Sequence, residues 1–320
     1  MQTHSNRIEN LLSTPVPYLT DGGLETTLIF RDGLDLPCFA AFPLLTTAKG
    51  RGYLERYYRS YAKLALKSGT GFVLDVPTWR ASPDWGRELG YSPADLDPIN
   101  REGAEFAQTL RTKWETARTP ILVNGVIGPR GDGYVLGSAM SREEAENFHA
   151  PQVRALGRGG VEMVTAVTMT YASEAIGVAR ATMSEDIPVV ISFTVETDGR
   201  LPSGQTLPDA ISEVDEATEG EVLYFMINCA HPDHYSDPVS SGADWRYRLG
   251  GLRSNASRLS HEELDNAEEL DAGDPQEFGR LHRDLVAELP NIRVLGGCCG
   301  TDDRHIQCAA HGAHHHLHAA

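Results

Sequence analysis

Cys298 and Cys299 stand side by side in GGCCGT (296–301), and Cys229 stands in INCAHP (227–232). Adjacent cysteines rarely bridge each other, because the ring they would close is strained. The chain has five cysteines, and an odd count does not suggest a disulfide framework. Free thiols, a metal site or a catalytic thiolate are the chemistries left. Three thiolates suit Zn2+, which takes soft sulfur in tetrahedral geometry and with three protein ligands keeps one position open. A substrate thiol in the open position gives up its proton at neutral pH and becomes a nucleophile. The glycines around the pair are expected to let the backbone turn sharply enough for both side chains to reach one ion. Cys38 and Cys308 lack this placement and read as structural.

Such a site needs a fold that brings residue 229 to residues 298 and 299. Eight apolar runs recur along the chain, at 17–23, 71–78, 120–128, 161–169, 187–195, 221–229, 248–256 and 292–300. Most are continuous rather than alternating, the pattern of parallel strands buried on both faces. The intervals carry apolar residues at helical spacing, as in 46–69, which ends on Gly69, and in 98–118, 141–160, 173–185, 206–220 and 274–290. Eight strands alternating with helices predict a single-domain α/β fold, the (β/α)8 TIM barrel, with a doubly wound open sheet as runner-up. In a barrel the active site lies at the C-terminal strand ends. The sixth run ends at Cys229 and the eighth at Cys298 and Cys299, so the three sulfurs converge on one rim. The chain divides into an N-terminal extension (1–16), the barrel (17–310) and a His-rich tail, HGAHHHLHAA (311–320), expected to be disordered and without catalytic role.

The formal net charge of −17, with no basic stripe, argues against a nucleic-acid partner. The acidic residues are densest at 260–274 and read as a solvated surface. No run of 18 apolar residues offers a membrane span, and the N-terminus lacks a basic segment followed by an apolar one. A cytoplasmic protein is expected, and a homo-oligomer is left open.

GGCCGT and INCAHP, with DGGLETTL (21–28), GLRSNAS (251–257) and GDPQEFG (273–279) in the same order, resemble the motifs of the zinc-dependent homocysteine S-methyltransferases, of betaine- or S-methylmethionine-dependent type. The resemblance covers roughly 17–310 and implies the same barrel. It implies Cys229, Cys298 and Cys299 as zinc ligands, with no catalytic side chain beyond the zinc site. It also implies a small sulfonium or ammonium methyl donor, such as S-methylmethionine, S-adenosylmethionine or a betaine, and homocysteine as the thiol acceptor, giving methionine. Asp21 of the opening motif is implied to bind the amino group of homocysteine. Gly22, Gly23, Glu25 and Thr26 of that motif, with Asn228 and Asn255, complete the implied substrate-binding set.

The family normally ends its fourth strand with a second carboxylate. Here Val167 or Thr168 holds that place. Glu162 is at the wrong end of the strand, and Glu174 lies in the following helix. An ammonium in a water-poor site needs a charged or hydrogen-bonding partner. Either Glu25, unusual in the opening motif, compensates, or the acceptor is a thiol without an α-amino group. Thr78, Asn124, Thr194 and Glu196 are polar residues at strand ends by position only, and His231 and His234 are candidates to support a ligand from behind. Two rival readings remain: a zinc lyase or hydrolase on the same scaffold, and a non-catalytic zinc module with His231 as fourth ligand. A His231→Ala variant separates the last, since it would lose zinc only there.

Overall fold

Eight parallel strands pair in chain order and close on themselves: β1 (Tyr18–Leu19), β2 (Phe72–Val76), β3 (Ile121–Ile127), β4 (Met163–Met169), β5 (Val189–Phe193), β6 (Phe225–Asn228), β7 (Leu249–Ser254) and β8 (Val294–Gly297). This is a computed structural model, and it describes residues 4–240 and 242–319. Each apolar run contributes one strand, shorter than the run because its polar end belongs to the rim. The barrel closes through β1 and β8, paired at Tyr18↔Val294 and Leu19↔Leu295. The open sheet is thereby set aside.

Alternation along each strand sorts the core into two parts. Phe72, Leu74, Ile121, Val123, Val164, Val189 and Ile191 face outward and pack under the helices. Their neighbours Val73, Leu122, Met163 and Val190 join Tyr18, Tyr224, Met226 and Val294 in a separate inner cluster. Helix His4–Ser13 lays Ile8 and Leu11 on that cluster. Each such side chain, once buried, contributes about 1.5–3 kcal/mol. Arg7 of the same helix pairs with Glu115 and with Glu162 (3.0 Å), which also meets Arg111 (2.8 Å). The segment before the barrel is therefore part of its lower end, and Glu162 serves there, far from the strand tips.

The long intervals are helices with local reasons to start and stop. Thr47 accepts from Gly50 N–H to begin Ala48–Ser68, and Gly69 ends it at φ 66°. Ser92 with Asp95, Ser141 with Glu144 and Ser260 with Glu263 form reciprocal capping boxes. The last helix runs Asp303–Ala319 and buries Ala309, Ala310 and Ala313. The tail expected to lack order continues this helix as far as Ala319, because its first turns ride on that buried face. Residue 320 lies outside the described residues.

Helix Pro275–Glu288 braces β7 through His282, which is fully buried. Its Nδ1 lies 2.8 Å from the Phe278 carbonyl and its Nε2 3.0 Å from Ser254 Oγ. A carbonyl only accepts, so Nδ1–H donates and Nε2 accepts from the hydroxyl. Burial lowers the His282 pKa from 6.5 to about 4. Between those values the unfolded chain binds the proton and the folded one does not. The contribution is thus complete above the unfolded pKa and lost as pH falls towards the folded one. His282→Gln should flatten that acid limb in thermal denaturation followed from pH 7 to 4. A limb as steep as wild type would assign it to other groups.

Candidate functional site

The Sγ atoms of Cys229, Cys298 and Cys299 lie within 4.8 Å of one another at the C-terminal rim, in the one group of this kind among the described residues. Cys229 and Cys298 are joined as a disulfide that spans 69 residues of sequence, with Cα atoms 5.3 Å apart, and Cys299 is free. Two cysteines brought this close from β6 and β8 are within bonding reach of each other, and reduction returns a three-sulfur set. As a donor set the three fit a thiophilic metal: tetrahedral zinc with Zn–S of about 2.3 Å places its sulfurs roughly 3.8 Å apart. Burial pushes the Cys299 thiol up to about 11, so a free Cys299 is a neutral thiol at physiological pH. Cys38 is exposed rather than a buried structural thiol, and Cys308 is half-buried.

Cys229 is the first residue past β6 and stands at φ 54°, in the left-handed region. A side chain held there costs about 1–3 kcal/mol and is kept only where the surroundings impose it. Here they do: Cys229 N–H donates to the Arg253 carbonyl at 3.1 Å, and Cys298 N–H to that of Ser254 at 2.9 Å. Behind Cys229, His261 Nε2 lies 2.8 Å from its carbonyl and His261 Nδ1 3.0 Å from Glu196. Thr194 is in the same group. The glycines serve close packing more than sharp turning. A Cβ on Gly296 would meet the Thr20 side chain and come 2.9 Å from the Asp21 carbonyl, and one on Gly297 would come 2.8 Å from Thr301 Cβ. Only Gly300, at φ 79°, supplies the turn anticipated around the pair. Thr26 Oγ1 accepts from Gly300 N–H at 3.3 Å, tying the opening motif to the cysteine loop.

These residues edge a cavity of about 520 Å3, within the range of small-molecule sites. Asp21, Gly22, Gly23, Glu25, Thr26, Asn228 and the three cysteines all line it. Asn255 does not. It is buried beside Tyr134, whose hydroxyl it meets, and so stands behind the site. Asn228 is held by its neighbours: its Oδ1 accepts from Ser192 Oγ (2.6 Å) and Thr168 N–H (2.9 Å), and its Nδ2 donates to Thr168 Oγ1 (2.9 Å). Thr168, at φ 61°, is thereby committed, and Val167 presents an apolar face to the cavity. Glu174 bonds His149 and Arg130 N–H outside the barrel. Thr78 bonds the Val126 carbonyl, and Asn124 bonds Asp75. His231 accepts from Asp233 N–H to cap helix Pro232–Val239 and is not among the clustered ligands.

Three residues of the candidate site escaped the sequence reading. Arg253, mostly shielded with 14% of its side chain exposed, pairs with both Asp21 and Asp75 in the cavity lining. Asn124 Nδ2 donates to Asp75 at 2.7 Å and Thr20 Oγ1 bridges the two acids at 3.3 Å from each. Burial raises the Asp21 pKa to about 6 against the pull of Arg253, and Asp75 adds to the rise. The signal was present: an acid within the apolar run FVLDV and an arginine within GLRSNAS are costly to bury singly, and so point to each other. The third is Tyr134, whose hydroxyl lies 3.4 Å from Cys299 Sγ and whose ring stacks on His261 at 4.0 Å.

The arrangement can hold a thiophilic metal beside an anionic cavity of small-molecule size. The family described as Homocysteine S-methyltransferase matches residues 18–311. Homocysteine S-methyltransferase 3 of Arabidopsis thaliana is 24% identical over 91% of this chain and 88% of its own length. Selenocysteine Se-methyltransferase of Brassica oleracea var. italica is 24% identical over 88% and 85%. The metallated homocysteine methyltransferase MmuM of Escherichia coli superposes with a TM-score of 0.73 at 19% identity, covering 95% of this chain and 99% of that one, which shows the shared fold.

Proposed function

The chain belongs to the homocysteine S-methyltransferase family and is a methyltransferase, and from that premise we propose that it moves a methyl group from a small sulfonium or ammonium donor to the thiol of homocysteine, giving methionine, with Zn2+ held by Cys229, Cys298 and Cys299. The observation that carries this reading is the convergence of three sulfurs on the rim of the cavity. Zinc, when bound, supplies Lewis-acid activation of the acceptor thiol. The chain's own residues supply the rest. Cys229 and Cys298 must be reduced to act as ligands. Asp21 turns a carboxylate, steadied by Arg253, towards an acceptor ammonium. Asp21, Glu25, Asp75 and Asp132 against Arg80 and Arg253 make the lining net acidic, which favours a cationic donor. Attack and departure both take place at the methyl carbon, so no side chain has to move a proton during transfer. What the cavity contributes is proximity and alignment.

The apolar Val167, where the family carries a carboxylate, favours a second reading: the same chemistry on a thiol without an α-amino group. One experiment separates them. Reduced, zinc-loaded protein is given homocysteine or 3-mercaptopropionate, each labelled in its carbon chain, with unlabelled S-methylmethionine, glycine betaine or S-adenosylmethionine, and products are read by mass. Labelled methionine supports the first reading. Labelled 3-(methylthio)propionate alone overturns it in favour of the second.

A further inference from the structure

We propose that Glu25 is the second carboxylate, beside Asp21, that recognises the ammonium of the acceptor, doing from the start of helix Leu24–Phe30 what the tip of β4 leaves undone. The inference rests on the reading of the acceptor as an α-amino thiol. Such a molecule carries its ammonium into a cavity closed below by packed side chains, where a positive charge needs a negative partner. Asp21 shares its charge with Arg253, and few other carboxylates are on offer to complete the pair. Asp21 and Asp75 are both paired with Arg253, and Asp132 with Arg80 at 3.1 Å. Asp265, Glu269 and Asp271 are exposed, at the mouth. Across the cavity, Val167 offers no charge and Thr168 is consumed by Asn228.

Glu25 is different. It lines the cavity, its one hydrogen bond is with its own backbone amide, and Arg80 and Arg253 act on it only through space. Its charge acts on both Asp21 and Cys299, and all three line the same cavity. Homocysteine has its thiol and its ammonium at opposite ends of a three-carbon chain. With the sulfur at the cysteines, the ammonium lies within a short reach, beside Glu25 and Asp21 together. A cation there also relieves the repulsion between the two acids. Burial and the nearness of Asp21 raise the Glu25 pKa to about 7, the mark of a carboxylate placed without a counter-charge. The specificity of this chain for an amino-acid acceptor therefore sits on the β1 side of the barrel.

The test compares two thiols that differ only in the amino group, L-homocysteine and 4-mercaptobutyrate. Each is titrated calorimetrically into reduced, zinc-loaded wild type, Glu25→Gln and Glu25→Ala. Wild type is expected to prefer homocysteine. Glu25→Gln should weaken homocysteine by about tenfold or more, the usual worth of a charged hydrogen bond, and leave 4-mercaptobutyrate within about twofold. Retained 4-mercaptobutyrate binding also shows that the variants are folded and loaded. Equal weakening of both thiols, or of neither, overturns the proposal. A wild type that binds only 4-mercaptobutyrate overturns the α-amino reading itself, and that failure is visible before any variant is made.

Discussion

A Cys298→Ala variant will lose methyl transfer by about a thousandfold or more, since a bound metal contributes several kcal/mol of activation. It should lose its metal at the same time. Two sulfurs, Cys229 and Cys299, remain in the cluster, and a catalytic zinc site needs three protein ligands. Two measurements make the point without reference to turnover. Elemental analysis after gel filtration should find zinc in reduced wild type and little in the variant. The midpoint of thermal unfolding should rise with added zinc for wild type, by the mass action of a ligand that binds only the folded state, and stay flat for the variant. Cys308→Ala, outside the cluster, should behave as wild type in both. A Cys298→Ala protein with a full complement of zinc would show that the three sulfurs are not the ligand set.

The second large effect is expected at Arg253. Arg253→Met removes the only cation that pairs with Asp21 and Asp75 among the described residues, and leaves two carboxylates buried without one. Breaking a buried ion pair in this way costs about 3–5 kcal/mol. The loss should depend on pH in a defined direction. The Asp21 pKa already stands at about 6 with Arg253 present, and removing the cation pushes it higher. A folded-state acid whose pKa is raised destabilises above that pKa and is relieved as it takes up its proton. The deficit of Arg253→Met in unfolding free energy should therefore be largest at pH 8 and shrink towards pH 5. Adding Asp21→Asn and Asp75→Asn should restore much of the stability at pH 8, because no buried charge is then left over. Arg253→Lys should fall between, one ammonium being unable to serve two carboxylates in fork geometry. A deficit that is flat with pH and not recovered in the triple variant would mean that lost packing, not charge, is what Arg253 supplies.

The cysteines were legible because their placement is a strand-end property. Runs of buried residues mark where strands stop, and the barrel puts every stop on one rim. The strands themselves were legible for the same reason: parallel strands covered on both faces cannot afford polar interruptions. Asp75 was hidden by that rule. One acid inside FVLDV reads as a strand with a blemish until alternation is known to turn it inward, and its partner lies far along the chain at Arg253. Tyr134 was hidden because it comes from an irregular segment between β3 and the helix Arg142–Arg158, where no period marks direction. The N-terminal helix was hidden by its shortness: ten residues with Ile8 and Leu11 do not declare which surface they cover until the floor of the barrel exists. The role of the glycine pairs was misjudged for a related reason. A glycine that lets two backbones touch looks, in sequence, the same as one that lets a chain turn.

The site straddles the junction where β1 and β8 meet. Gly297 N–H donates to the Asp21 carbonyl at 2.9 Å, and Gly23 N–H to that of Thr301 at 3.1 Å. Seen from the ribosome, this order has a consequence. Asp21 emerges early, Cys229 much later, and the paired cysteines only when the last strand is made. A chain halted before β8 has one sulfur of the three and no closing partner for its first strand. It can neither seal the barrel nor present the three-sulfur set. A metal held by these sulfurs, as proposed, would therefore be held only by a chain that has been read through to its final strand.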